Sequence, residues 1–341
     1  MVIKMRKIWE KNSKLILIVT IAIVLASGAT YAATTMYDSN IVGYDNTTSG
    51  LRSTNVQDAL DEVYGAASNY AAYNTRLEDV EDLIRANAGF HNSIFRGEDV
   101  SKYMPSSVVN GGDGSIYDRI AGTNGYSMFE DLYVGDYILA DKVNATVNGI
   151  VWRIAGFDIY YGKGSTPLNT HHAVIIPDTN LTSSVMNDSA TTEGGYVGSK
   201  MYTTTIPSVL TTYINPVFNG HVLSHRTLRT TYVCNAISMG YGGWTGTACG
   251  WDWYTRQADL MNEVQVTGNM SVSSSYVDTG TDNIQFPLFR LKPGFVNAQR
   301  STYWLRSIAS YTLFAIIGGY GVSDVIDANN SLGVRPYFYI G

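Results

Sequence analysis

Three Trp and two Tyr fall within Tyr241–Tyr254 (YGGWTGTACGWDWY), among four Gly and a single acid. Rigid aromatic rings between flexible glycines give large contact area at little entropy cost, which is the chemistry of a recognition surface. Trp251 and Trp253 alternate, so the pair could equally fill one face of a core strand, whereas Trp244 sits in a Gly turn. Cys234 and Cys249 stand 15 apart. In an exported domain that spacing predicts a disulfide worth about 3 kcal/mol on the chain-entropy estimate, with buried free thiols as the alternative. His221 and His225 (HVLSH) have the i, i+4 spacing of two metal ligands on a helix. The Glu of a zinc-protease motif and a third ligand are both missing, so surface or core histidines compete with that reading. His171 and His172 adjoin a strand pattern and would point to opposite faces. Asp158 and Asp178 read as isolated turn or cap carboxylates. No G-x-S-x-G, GxGxxG or GxxxxGK[ST] string occurs, so the sequence supports no catalytic residue, no nucleotide cofactor and no metal.

The elements that must position these groups are marked along the chain. Residues 1–14 carry Lys4, Arg6, Lys7, Lys11 and Lys14 against Glu10, and Leu15–Ala26 is apolar except for Thr20. A small-residue stretch with a Thr30-x-Ala32 cleavage-like site follows. Residues 1–33 are thus expected to be a signal peptide or, uncleaved, a membrane anchor, which places the rest outside the cytoplasm. Residues 34–54 read as a linker and 55–88 as a helical stalk with Thr54 as its N-cap. There Val56, Leu60, Val63, Ala67, Tyr70, Asn74, Leu77, Glu81 and Ile84 follow steps of four and three. That spacing fits a coiled coil, with a homotrimer preferred, or one amphipathic helix packed on the next domain. Residues 89–341 form one region. Tyr133–Leu139, Val147–Phe157, Ala173–Pro177 and Tyr303–Tyr339 read as strands, and Lys200–Phe218 and Tyr254–Val266 as helices. The class is α+β.

Composition narrows the partners. The 341 residues are 45% hydrophobic and only 15% charged, with 25 Tyr and a net charge of −6. Removing 1–32 takes away five of 23 basic and one of 29 acidic residues, leaving 18 against 28, or −10. With no Lys/Arg block, a nucleic-acid partner is excluded.

Tyr303-Trp304-Leu305-Arg306-Ser307, Gly333-Val334-Arg335-Pro336 and the final apolar strand Tyr337–Ile340 resemble a family of bacterial and phage surface domains ending in a "WLRS … GVRP" strand pair. Trp152-Arg153-Ile154, His172–Ile175 and Gly194-Gly195-Tyr196 fit the same pattern, over residues 100–341. The resemblance implies a C-type-lectin-like head. That fold is shared by formylglycine-generating enzymes and by the variable proteins of diversity-generating retroelements, whose C-terminal segment is the hypervariable ligand surface. Ser307–Leu332 contains no Lys, Gln, Glu, Met or Trp, as retroelement mutagenesis of Asn-type codons would require; an ordinary strand-turn-strand has the same composition. The calcium-lectin motifs Glu-Pro-Asn, Gln-Pro-Asp and Trp-Asn-Asp are absent, and the closely spaced cysteine pair of copper-dependent formylglycine generation has no match.

The expectation is an exported adhesin or receptor-binding protein without enzymatic activity, contacting a protein or glycan on another surface. A structural protein of a phage virion or surface filament, and a formylglycine-generating-type enzyme, are the alternatives. The expected contact residues are Ser310, Tyr311, Thr312, Phe314, Ile316, Tyr320, Ser323, Asp324 and Asp327, with Trp244, Trp251 and Trp253. Arg306 and Arg335 are read as structural, pairing with buried acids or carbonyls.

Overall fold

A computed structural model describes residues 50–85, 87–105, 113–234, 247–273 and 282–341, without the side chains of 77–85 and 247. The signal or anchor segment and most of the linker lie outside these residues. Among the described residues, no helix is long and apolar enough to cross a membrane. The chain divides into two units at Glu78/Asp79.

The first unit contributes most of helix α1 (Val56–Arg85), whose 30 residues reach about 45 Å at 1.5 Å each. Asn55, rather than Thr54, caps it: its side-chain oxygen accepts the Asp58 N–H at 2.9 Å. The difference is one residue and follows from the stronger N-cap preference of Asn. Arg52 and Ser53 donate their backbone N–H groups to the Glu62 carboxylate, turning the entering chain back along the first turns. Of the seam positions whose side chains are described, Leu60, Ala67 and Tyr70 are exposed, and Val56, Val63 and Asn74 are half-buried.

The second unit is mixed helix and sheet, confirming the α+β class. Strands β1 (Tyr137–Leu139), β2 (Val151–Phe157), β3 (Ala173–Pro177), β12 (Pro336–Ile340) and β7 (Ala258–Leu260) form one antiparallel sheet in the order β1-β2-β3-β12-β7. A second sheet runs β10 (Ser323–Asp327), β9 (Leu313–Ile317), β8 (Tyr303–Ile308), β11 (Ser331–Val334), β4 (Thr182–Val185). Only β8 and β11 run parallel, meeting at Tyr303 and Gly333. Strands β5 (His225–Cys234) and β6 (Thr247–Arg256) make a separate antiparallel ribbon.

β2, β3, β8 and β12 are almost entirely buried, matching their near-continuous apolar sequences. The chain leaves one sheet at Val334 and enters the other at Pro336, so Arg335 alone makes the corner. A Cβ on Gly333 would displace the Asn180 amide that donates to the Thr302 carbonyl. Residues 201–218 are helical, alternating π turns (Met201–Thr205, Leu210–Ile214) with α turns (Ile206–Val209, Asn215–Phe218).

The helix expected over Tyr254–Val266 is corrected. Tyr254–Arg256 ends β6, Ala258–Leu260 is β7, and only Glu263–Thr267 is helical, opened by an Asn262/Gln265 capping box. Asp259, within β7, is wholly buried in an ion pair with Arg229.

Candidate ligand-binding site

The corner residue Arg335 holds together two segments far apart in sequence. Its Nε donates to the Pro177 carbonyl at 2.9 Å, and its Nη1 to the carbonyls of Phe295 at 2.9 Å and Val296 at 3.3 Å. Tyr303, from the other motif strand, donates its hydroxyl to the Val296 carbonyl at 2.7 Å. The end of β3 and the turn after Pro293 are thereby fixed on either side of a half-open cavity of about 230 Å³. Asp178, Lys292, Gly294, Phe295, Asn297 and Gln299 line it.

Beneath the cavity, Arg153 of β2 makes a two-pronged pair with Asp178: Nε to Oδ1 at 2.7 Å and Nη2 to Oδ2 at 2.6 Å. The Phe295 ring covers the guanidinium at 4.5 Å. The Asp178 charge is thus spent on Arg153. Lys292 Nζ lies 5.0 Å from the Phe95 ring centre. Among the described residues neither Lys292 nor Arg300 has a carboxylate partner. Ala298, Gln299 and Arg300 are all left-handed, with φ of 43°, 57° and 68°. Non-glycine residues in that region cost about 1–3 kcal/mol each and persist only where the surroundings impose them. Part of that constraint comes from the β9–β10 hairpin. Its tip closes with Gly318 N–H to Val322 O and Gly321 N–H to Gly318 O. A Cβ on Gly319 would stand 2.6 Å from the Arg300 carbonyl, so only glycine lets the tip lie on this turn. Gly321 faces Asn297, and Tyr320 between them is 96% exposed.

The expected contact residues divide sharply by burial. Tyr320 and Asp324 are exposed; Tyr311, Thr312, Ser323 and Asp327 are half-buried. Ser310, Phe314 and Ile316 are buried and are corrected as contact residues. Phe314 packs edge-on against Trp304, and Ile316 pairs with both Trp304 and Asp324 across the sheet. Ser310–Thr312 is a turn and β9 begins at Leu313, so these residues do not lie along one strand. Trp251 and Trp253 are half-buried on β6, opposite Thr230 and Leu228, and so belong to a different sheet from the hairpin. Trp244 and Tyr241 lie outside the described residues.

The other reactive residue types are built into the scaffold. Cys234 and Cys249 are joined in a disulfide, Cα atoms 6.0 Å apart, near the end of the ribbon. His221 and His225 are not on a helix. His221 stacks on Tyr117 with ring centres 3.4 Å apart, and His225 opens β5 among Tyr160, Tyr337 and Tyr339. Burial, then the charges of Arg229 and Arg306, push the His225 imidazole well below its usual range. Burial also lowers His172. Asp158 is not isolated: it accepts His171 Nδ1 at 2.7 Å and the His172 N–H at 2.9 Å. Among the described residues no group of three or more His, Cys, Asp or Glu is placed to hold a metal ion.

A charged centre fills the interior between the ribbon and the sheets. Arg229 pairs with Asp259 at 2.5 Å, and Arg306 with Asp282 at 2.8 Å. Arg229 Nη1 lies 3.8 Å from Asp282, and Tyr196 donates its hydroxyl to Asp259. Beside it, the Glu263 carboxylate accepts the N–H groups of Ser271, Val272 and Ser273 and both serine hydroxyls, at 2.6–3.1 Å. Burial alone would raise the Glu263 carboxyl, but these hydrogen bonds together hold it below the ordinary carboxylate range.

Sequence reasoning missed Lys292, Phe295, Asn297 and Gln299, and took Asp178 for a lone carboxylate. One signal was present: residues 283–323 contain no Asp or Glu but four Arg or Lys, in a chain that is otherwise net acidic. Comparison with protein-family models, curated proteins and solved structures finds no match for this chain.

Proposed function

We propose that the chain is an exported, surface-displayed ligand-binding protein of the adhesin type, with a C-type-lectin-like head that recognises without chemistry. The carrying observation is Tyr320: an almost fully exposed aromatic ring on a tip whose backbone rests on the left-handed 298–300 turn. An exposed ring on a fixed backbone gives contact area at low entropy cost, as a recognition surface requires. The adjacency of β8 and β11 brings WLRS and GVRP side by side, which fits the lectin-like resemblance. The basic, then apolar N-terminus supports export to the cell surface or beyond it. Retroelement diversification of this head would be confined to the exposed part of Ser307–Leu332, since Phe314–Ile317 are core.

Binding of the full-length protein, displayed on cells, to arrays of glycans and extracellular proteins tests the reading. Tyr320→Ala is expected to lower saturable binding at least about tenfold, the scale of an aromatic hot spot. Binding indifferent to that change, or consumption of a bound ligand, would sink it. The seam side chains Leu60 and Tyr70 left in solvent support a self-associating stalk. Sedimentation of the full chain is expected to give a trimer that Leu60→Asp with Tyr70→Asp converts to monomer; a wild-type monomer would remove the stalk from the proposal.

A further inference from the structure

We propose that the cavity between Asp178 and the 292–299 turn is a subsite for one carboxylate-bearing sugar residue, with Lys292 as the counter-charge. This rests on the ligand-binding reading and names the ligand class of its site. The Asp178 carboxylate is neutralised by Arg153 from below, both oxygens occupied. That leaves Lys292, whose ammonium stands over the Phe95 ring, as the charged lining residue without a carboxylate partner among the described residues. A cation without a carboxylate, in a stretch from 283 to 323 that holds no acid, favours an anion on a protein that otherwise repels one.

The remaining lining decides what carries the anion. Gln299 brings an amide able to donate and accept, and Asn297, whose Oδ1 accepts the Arg300 N–H, keeps its amide N–H groups to donate, which suits the hydroxyls of a sugar ring. The half-buried Phe295, packed against Arg153 and Phe95, contributes the apolar part of the lining. At about 230 Å³ the space lies below the 300–1,000 Å³ of a drug-sized site, so it admits one ring rather than a folded peptide segment. The glycines flanking Tyr320 back onto Arg300 and Asn297, so the hairpin tip adjoins the turn that supplies this lining.

Calorimetric titration of the full-length protein with glucuronate, glucose, glucose 6-sulfate and acetate tests this. Glucuronate is expected to bind at least about tenfold more tightly than glucose, the worth of one charge-assisted hydrogen bond. In Lys292→Met that preference should fall to about twofold or less. Gln299→Ala should weaken both sugars. Equal affinity for glucose and glucuronate, a preference that survives Lys292→Met, or acetate competing as well as glucuronate would overturn the proposal. Tighter binding of the sulfate ester would assign the subsite to sulfated rather than carboxylated sugars, and so overturn it as stated. If no sugar binds while Tyr320→Ala still abolishes adhesion by displaying cells, this inference fails and the ligand-binding reading stands. Loss of both defeats both.

Discussion

The head concentrates charge in two places and treats it in opposite ways. In the interior, Arg229, Asp259, Asp282 and Arg306 lie out of reach of solvent, and each has an opposite charge within 3 Å. On the rim, Lys292 and Arg300 have none among the described residues, although the chain carries more acids than bases. Burial explains the first: an ion taken out of water costs several kcal/mol unless it is paired. Nothing in folding requires the second, because an exposed ammonium is already solvated. The interior set therefore belongs to the scaffold, and the rim set is free to meet something from outside. Arg335 connects them, since this buried guanidinium is spent on three backbone carbonyls that shape the rim.

The sharpest break of that comparison is Arg229→Met. It leaves Asp259 buried without its counter-charge and is expected to cost about 3–5 kcal/mol in chemical unfolding. Adding Asp259→Leu should recover a large part of the loss, because two well-packed apolar residues can replace a buried pair. A single variant within about 1 kcal/mol of wild type would show that the interior ions do not need each other.

Acid probes the same interior from its edge. His172 and His225 both have folded-state pKa values pushed below 6.5, so the folded state keeps them neutral while the unfolded chain takes up protons. Their contribution is complete above 6.5 and is lost as pH falls below it; Glu263, also lowered, adds its loss only below its ordinary 4.5. Thermal melts should therefore drop by at least about 2 °C between roughly pH 7.5 and 5.5. His225→Gln should flatten that slope even if it lowers stability at neutral pH. An equal slope in the variant would remove His225 from the explanation.

The same contrast accounts for what could be read from sequence. Ala173–Pro177 was legible as a strand because five consecutive nonpolar residues are all buried. Over Tyr254–Val266 strand β7 takes the place of the expected helix, and its buried Asp259 is paired with Arg229, 30 residues earlier. The cavity was illegible for a similar reason. Asp178 looks solitary until β2 pairs with β3 and brings Arg153 to it across 25 residues, and Arg335 reaches Pro177 across 158. Tyr320 stood out because its Gly-Gly-Tyr-Gly turn is local. Periodicity reports faces of elements; it does not report which charges will be paired once those elements meet.

The smallest expected effect is the most diagnostic. Lys292→Met should change unfolding free energy by no more than about 0.5 kcal/mol, the usual range for a surface position without a special role. The ammonium is exposed, it has no carboxylate partner among the described residues, and methionine keeps contact with the Phe95 ring that the lysine covers at 5.0 Å. Paired with its expected effect on acidic-sugar affinity, this would separate the two kinds of charge: stability moves with Arg229 and not with Lys292, and binding the reverse. A stability loss above about 1 kcal/mol in Lys292→Met would instead place that lysine in the scaffold, and the unpaired rim would need another reason to exist.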